Sequence, residues 1–261
     1  MEVIIVETVE EVARVAADGI SELCERNPRA VLGVATGSSP VGVYDELGRR
    51  VAAGELSLAQ ARAFMLDEYV GLPATHPELY RNVIQRDFAD KVDIEADAIA
   101  GPDGGADDLA AACAAYEQAI VDAGGVDLQL LGIGTDGHVA FNEPGSSLAS
   151  RTRIKTLTRQ TRADNARFFG DRLDDVPQHC LTQGIGTILV ARHLLLVATG
   201  RHKAEAVHHL VEGPVTAMWP ASALQLHPHV TVVLDPGAAS RLQLGDYFKE
   251  TYAAKPAWQG L

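Results

Sequence analysis

Six short apolar runs, rich in β-branched residues, punctuate the chain at residues 3–6, 30–35, 62–66, 127–133, 193–199 and 230–234. They are near-continuous rather than alternating, which is the pattern of strands buried on both faces. Between them the apolar positions change to helical spacing, with Val12, Val15, Ala16, Ile20 and Leu23 on one face. Thr8 and Glu11 stand where a capping box would open that helix, and Thr75 with Glu78 offers a second box ahead of residues 79–88. Residues 106–123 read as an Ala-rich helix, and 201–211 and 217–224 as further helices. Strand–helix alternation predicts an α/β fold with a mostly parallel sheet covered on both faces, and such sheets bind ligands at the carboxyl ends of their strands. The Gly/Asp-rich stretch 101–108 reads as a loop within a single domain spanning 1–261. Residues 157–180 are polar, charged and poor in core positions, so they are expected to form a mobile lid.

Composition narrows the function. With 261 residues, 47% of them hydrophobic, the chain can bury a sizeable core. The 22 basic and 35 acidic residues give a net charge of -13, which argues against a nucleic-acid partner. An anionic small molecule remains compatible, because a few local donors can bind phosphate whatever the global sign. Cys24, Cys113 and Cys180 are far apart and odd in number, so neither a disulfide framework nor a CxxC metal site is expected, and free thiols fit a reducing cytoplasm. The first residues lack the basic region of a signal peptide, and no apolar run reaches the roughly 18 residues of a membrane span.

Four loops after strands carry chemistry. In Ala35-Thr36-Gly37-Ser38-Ser39-Pro40, Ser39 reads as an N-cap and Pro40 as the first helical residue. Free N–H groups and serine hydroxyls there make an anion cradle, although an ordinary strand-to-helix turn would look similar. Asp67 and Glu68 follow the strand at 62–66, where a carboxylate can be desolvated into a better base. In an extended backbone the two point opposite ways, so only one is expected to reach a ligand, and a helix cap or solvated loop is the competing reading. The run Gly132-Ile133-Gly134-Thr135-Asp136-Gly137-His138 through Glu143 brings two carboxylates close to a histidine, as a proton shuttle requires. A metal site or a structural histidine would use the same residue types, but the spacing matches no standard metal motif. Finally, Gly200-Arg201-His202-Lys203 repeats the strand–glycine–helix arrangement with two cations. Lys203 or Arg201 could complete a phosphate site, and Lys203 could equally be a Schiff-base nucleophile or a solvated residue.

Taken together, ATGSSP, LDEYVGLP, HPELYRNV, GIGTDGHVAFNEPGSSLASRTRIKTLT, ATGRHKA and ALQLHPHVTVVLD resemble the glucosamine-6-phosphate deaminases of the glucosamine/galactosamine-6-phosphate isomerase family, across nearly the whole chain. The resemblance implies a Rossmann-like three-layer sandwich, often assembled into homo-oligomers, hexamers among them. It implies conversion of D-glucosamine 6-phosphate and water to D-fructose 6-phosphate and ammonia in cytoplasmic N-acetylglucosamine catabolism, with no cofactor and no metal. By motif, Asp67 would be the base moving a proton between C2 and C1. His138 would assist ring opening, held and tuned by Asp136 and Glu143. Thr36, Gly37, Ser38 and Ser39 would hold the phosphate, with Arg167 and Lys203 adding charge. A site for the activator N-acetylglucosamine 6-phosphate would fall on Ser146, Ser147, Arg153 and Lys155, with Tyr247 of DYFKE tied to that regulation. Arg153 and Lys155 read equally well as solvated strand charges.

Two other functions compete. A 6-phosphogluconolactonase of the same fold would carry a DER-type pair and a Ser-Leu-Phe-Pro-like stretch, where this chain has Asp67-Glu68-Tyr69 and Phe141-Asn142-Glu143-Pro144. A non-catalytic sugar-phosphate sensor would be accompanied by a DNA-binding domain, for which a first strand at 3–6 leaves no room.

Overall fold

The computed structural model describes residues 1–261 apart from the side chain of Ala257. Its strands are β1 (Glu2–Ile5), β2 (Val31–Val34), β3 (Arg62–Met65), β4 (Asp67–Tyr69), β5 (Ile99–Ala100), β6 (Leu128–Leu131), β7 (Arg153–Thr156), β8 (His179–Thr182), β9 (His193–Ala198) and β10 (Val230–Leu234). Its helices are α1 (Val9–Arg26), α2 (Ser38–Ala52), α3 (Tyr80–Asp87), α4 (Leu109–Asp122), α5 (Arg159–Asn165), α6 (Ile185–Ile188), α7 (Ala204–Val211) and α8 (Gly245–Ala253). All six apolar runs are strands of one seven-stranded sheet in the order β1-β10-β9-β6-β2-β3-β5, completed by the two-residue β5. Every neighbouring pair in it is parallel.

This order reverses direction once. From β2 the chain builds outward through β3 and β5, then returns to lay β6 on the other side of β2. The two connections leaving β2 and β6 therefore diverge and open a crevice at their carboxyl ends, the topological switch point of an open α/β sheet. One apolar cluster packs α1 and α2 on one face of the sheet through Ile20, Val43 and Leu47. A second, built on Tyr116, Ile188, Val207 and Leu210, covers the other face. The result is the expected α/β three-layer sandwich.

The capping box at α1 is present in full: Thr8 accepts from Glu11 N–H at 3.1 Å, and Glu11 accepts from Thr8 N–H at 3.2 Å. The second expected box is not. Helix α3 opens at Tyr80 after Leu79 with no cap from its own segment. Glu68 arrives instead from β4, accepting from Tyr80 N–H and Arg81 N–H, each at 2.8 Å. Likewise α2 opens at Ser38, with Gly37 preceding it at φ 100°, so Ser39 and Pro40 lie inside the first turn rather than at its boundary.

A second, three-stranded sheet, β4-β8-β7, is antiparallel and escaped the apolar-run reading because its strands are short and mixed in polarity. The polar stretch 157–180 has more structure than its composition suggests. It forms α5, two 3-10 turns and the start of β8, around a small cluster of Leu157, Phe169, Val176 and Cys180 with Tyr69 and Phe141. No helix among the described residues is long and apolar enough to cross a membrane, and the three cysteines are buried and unpaired.

Candidate active site

The crevice at the switch point holds a cleft of about 710 Å3, a size suited to a small ligand. Thr36, Gly37, Ser38, Ser39, Asp67, His138, Arg167 and Lys203 all line it. Four separate connections thus deliver the four sequence motifs to one place.

At the β2 connection, the buried Tyr44 hydroxyl accepts from Ala35 N–H at 2.9 Å and donates to Ala35 O at 2.8 Å. This pins the strand end, after which Gly37 turns with a positive φ that L side chains rarely adopt. Helix α2 then begins with no side-chain cap, leaving first-turn N–H groups of Ser38 and Ser39 and the helix dipole facing the cleft. Lys203, from the turn after β9, and Arg167, from the 3-10 turn after α5, bring cations to the same cleft. Burial, and then the Arg167 charge, lower the Lys203 pKa, while Asp136 and Asp164 oppose the shift. Arg167 is exposed, its guanidinium 4.7 Å from the Phe168 ring centroid. Neither cation is ion-paired among the described residues, so both are free for an anion.

Asp67 and Glu68 divide as extended backbone demands. Asp67 faces the cleft at 5% exposure. No hydrogen bond or cation offsets its burial, which pushes its pKa well above the ordinary carboxylate value, and the Glu68 charge adds to the rise. Glu68 turns away and accepts three backbone N–H bonds, from Tyr69, Tyr80 and Arg81. Burial still raises its pKa against those three donors. One acid caps a helix; the other is buried against the cleft with no donor to stabilise its charge.

The connection after β6 folds tightly, with Gly134 N–H donating to His138 O at 2.8 Å. Asp136 Oδ1 lies 2.7 Å from His138 Nδ1 and also accepts from His138 N–H at 3.2 Å. Burial pushes the Asp136 carboxyl up, but these hydrogen bonds and the His138 charge hold it below its ordinary value. The carboxylate therefore fixes the ring and leaves Nε2 for chemistry. The imidazole stacks directly over Gly134, where any Cβ would overlap it. Behind the loop, Ala221 N–H donates to Gly137 O, and a Cβ on Gly137 would come within 2.6 Å of the half-buried Trp219 ring.

Glu143 does not join this pair. It is 4% exposed, and its carboxylate accepts from Thr158 N–H at 3.0 Å, from the Thr158 hydroxyl at 2.9 Å, and from the Thr161 hydroxyl. No hydrogen bond joins it to His138; these donors tie it to the start of α5, chiefly through Oε1. The residues expected to hold an activator are also divided. Arg153 and Lys155 share one face of β7, Ser146 is buried with an unpartnered hydroxyl, and Ser147 is exposed. Tyr247 sits on α8, 58% exposed, and α8 packs against β1 at the edge of the large sheet. Among the described residues no hydrogen bond or ring contact joins it to the other four.

Several cleft residues went unread in the sequence. Gln160, Thr161, Asp164 and Asn165 line it from α5, and their spacing of one, three and one is a helical face that a periodicity search of the polar stretch could have found. Tyr80 lines it from α3. Among the described residues no group of three or more His, Cys, Asp or Glu side chains could hold a metal ion.

The model of the family described as glucosamine-6-phosphate isomerases/6-phosphogluconolactonase matches residues 6–233. The chain is 71% identical to a glucosamine-6-phosphate deaminase of Mycolicibacterium smegmatis and 60% identical to one of Streptomyces coelicolor, in each case over all of both chains. Among solved structures, one described as a monomeric glucosamine-6-phosphate deaminase superposes with a TM-score of 0.89 at 44% identity, covering 92% of this chain and 100% of that one. A 6-phosphogluconolactonase from Trypanosoma cruzi superposes at 0.73 with 23% identity, covering 93% and 97%, a likeness of fold alone.

Proposed function

Since this chain belongs to the family of glucosamine-6-phosphate isomerases and 6-phosphogluconolactonases, we infer that it is an enzyme converting D-glucosamine 6-phosphate and water to D-fructose 6-phosphate and ammonia. The observation that carries the mechanism is a buried carboxylate, Asp67, sharing one cleft with His138 and with an anion cradle.

The closed sugar must open before its C2–H becomes acidic. His138, held through Nδ1 by Asp136, passes a proton between the ring oxygen and O1. Asp67 then takes the C2 proton, giving an enolamine, and returns it to C1. Water adds to the resulting C2 imine, and ammonia leaves. Each positioned acid or base contributes about 10²–10⁴ in rate. The phosphate, held by Thr36, Gly37, Ser38, Ser39, Arg167 and Lys203, supplies remote binding energy for orientation. Because Arg167 follows α5, phosphate binding would draw the 157–180 segment over the sugar as a lid.

Regulation and assembly belong to the same reading. N-acetylglucosamine 6-phosphate would activate at Ser146, Ser147, Arg153 and Lys155, with Tyr247 joining only across a contact between copies in a cytoplasmic homo-oligomer, a hexamer being one form. The solved relative described as monomeric makes this a matter for measurement. Coupled release of ammonia from glucosamine 6-phosphate tests the activity, and its absence would refute it. A leftward shift of the rate curve on adding N-acetylglucosamine 6-phosphate would support the second site, and an unchanged curve would count against it.

A further inference from the structure

Asp67 opens β4 while His138 sits on the loop after β6, and no hydrogen bond joins them, yet proton transfers at neighbouring atoms of one sugar need their separation fixed. A buried bridge does this from behind the cleft. The chain leaves the large sheet at Met65 and enters the small one at Asp67, with Leu66 between. There Gln183, 1% exposed, donates from its backbone N–H to Leu66 O at 2.7 Å and from Nε2 to Met65 O at 3.0 Å. The Gln183 carbonyl accepts from Asn142 Nδ2 at 2.7 Å, and the same nitrogen donates to Val139 O at 3.1 Å. Val139 follows His138 directly, as Asp67 follows Leu66. Asn142 is fully buried, and its Oδ1 has no partner. Neither Gln183 nor Asn142 lines the cleft.

We propose that Asn142 and Gln183 are positioning residues whose two links in series set the distance between the Asp67 carboxylate and the His138 imidazole. The proposal rests on the roles given to those two groups above. Loss of the Asn142 amide parts its side chain from the Gln183 carbonyl, and loss of the Gln183 amide removes the bond to Met65 O while its backbone bond to Leu66 O remains. Each loosens the tie without touching the phosphate cradle, so chemistry suffers and binding does not.

Wild-type ammonia release is measured first; if it is absent, the functional reading fails and not the bridge. Given activity, Asn142→Ala and Gln183→Met are each expected to lower kcat about 10–100-fold, the scale of a misplacement near 1 Å. KM stays within about threefold, and the isotope effect with substrate deuterated at C2 increases. Asn142→Ser, which restores one donor, recovers part of kcat. Because the Gln183 amide reaches the His138 loop only through the bond from Asn142, adding Gln183→Met to Asn142→Ala lowers kcat no further than Asn142→Ala alone, within about threefold. Should Asn142→Ala not fold, Gln183→Met alone carries the test. Folded variants with kcat within twofold of wild type, losses that merely track the folded fraction, or multiplicative losses in the double variant would overturn the proposal.

Discussion

Asp67 meets opposing demands: the burial that makes it a stronger base also makes its charge unwelcome. Asp67→Asn should therefore lower kcat by about 10²–10⁴ while raising stability by about 1–2 kcal/mol, the usual exchange at a strained active-site group. Parallel rate measurements and urea unfolding would check both halves. The sign of the pH effect follows. Asp67 acts ionised, and burial with the Glu68 charge raises its pKa. The acid limb of kcat/KM should thus lie above the ordinary carboxylate value of about 4. Glu68→Gln removes the like charge and should move that limb down; a limb at the ordinary position in the wild type would refute the desolvation account. At this scale much was legible. The division of Asp67 from Glu68 follows from strand alternation, and the hold of Asp136 on His138 from their closeness in sequence. The tie of Glu143 to Thr158 and Thr161 was not legible, because those partners come from a segment whose packing no local spacing announces.

Elements in this protein are finished by residues outside them. Helix α3 depends on Glu68 for its first turn, and a glutamine there can offer only one acceptor oxygen to three N–H donors. Glu68→Gln should accordingly cost about 1.5–3 kcal/mol for each charged hydrogen bond lost, read as a lower unfolding midpoint with amide protection lost first at residues 80–82. The turn after β6 has the opposite requirement, for nothing at all on Gly134. Gly134→Ala should push the His138 ring aside and lower kcat about 10²-fold with the fold retained, and a nearly normal rate would show that the ring has other room. The large sheet was readable because strands buried on both faces announce themselves as unbroken apolar runs. The small sheet was not: β7 alternates half-buried and exposed positions, and β4 is only three residues long. The box at Thr75 and Glu78 has the right residues, but local pattern cannot register a competing carboxylate that arrives from another strand.

Across the whole molecule, the ends of the strands divide the labour. Carboxyl ends carry the cleft, while the amino ends of β9 and β10 hold a histidine cluster. His193 and His229 stack at 3.7 Å, and His193 Nε2 lies 2.9 Å from the Thr231 hydroxyl. Burial, then the neighbouring His229 and His227, push His193 down to about 3. The unfolded chain therefore binds that proton more readily, so stability should fall as pH drops from about 6.5 toward 3. His193→Gln should flatten this part of the profile, measured as unfolding free energy against pH, and an unchanged slope would rule out His193 as its cause. The switch point of the sheet was legible once strand order was known, but strand order itself was not in the apolar pattern, which says what is buried and not beside what.

The placement of Trp219 against Gly137, immediately behind His138, has an experimental use. The chain has one other tryptophan, Trp258, 85% exposed at the far end of the sequence. Replacing Trp258 with Phe would leave a single tryptophan, packed against the residue that precedes His138. Its emission could then follow ligand capture in a stopped-flow instrument, with no label and no coupling enzyme.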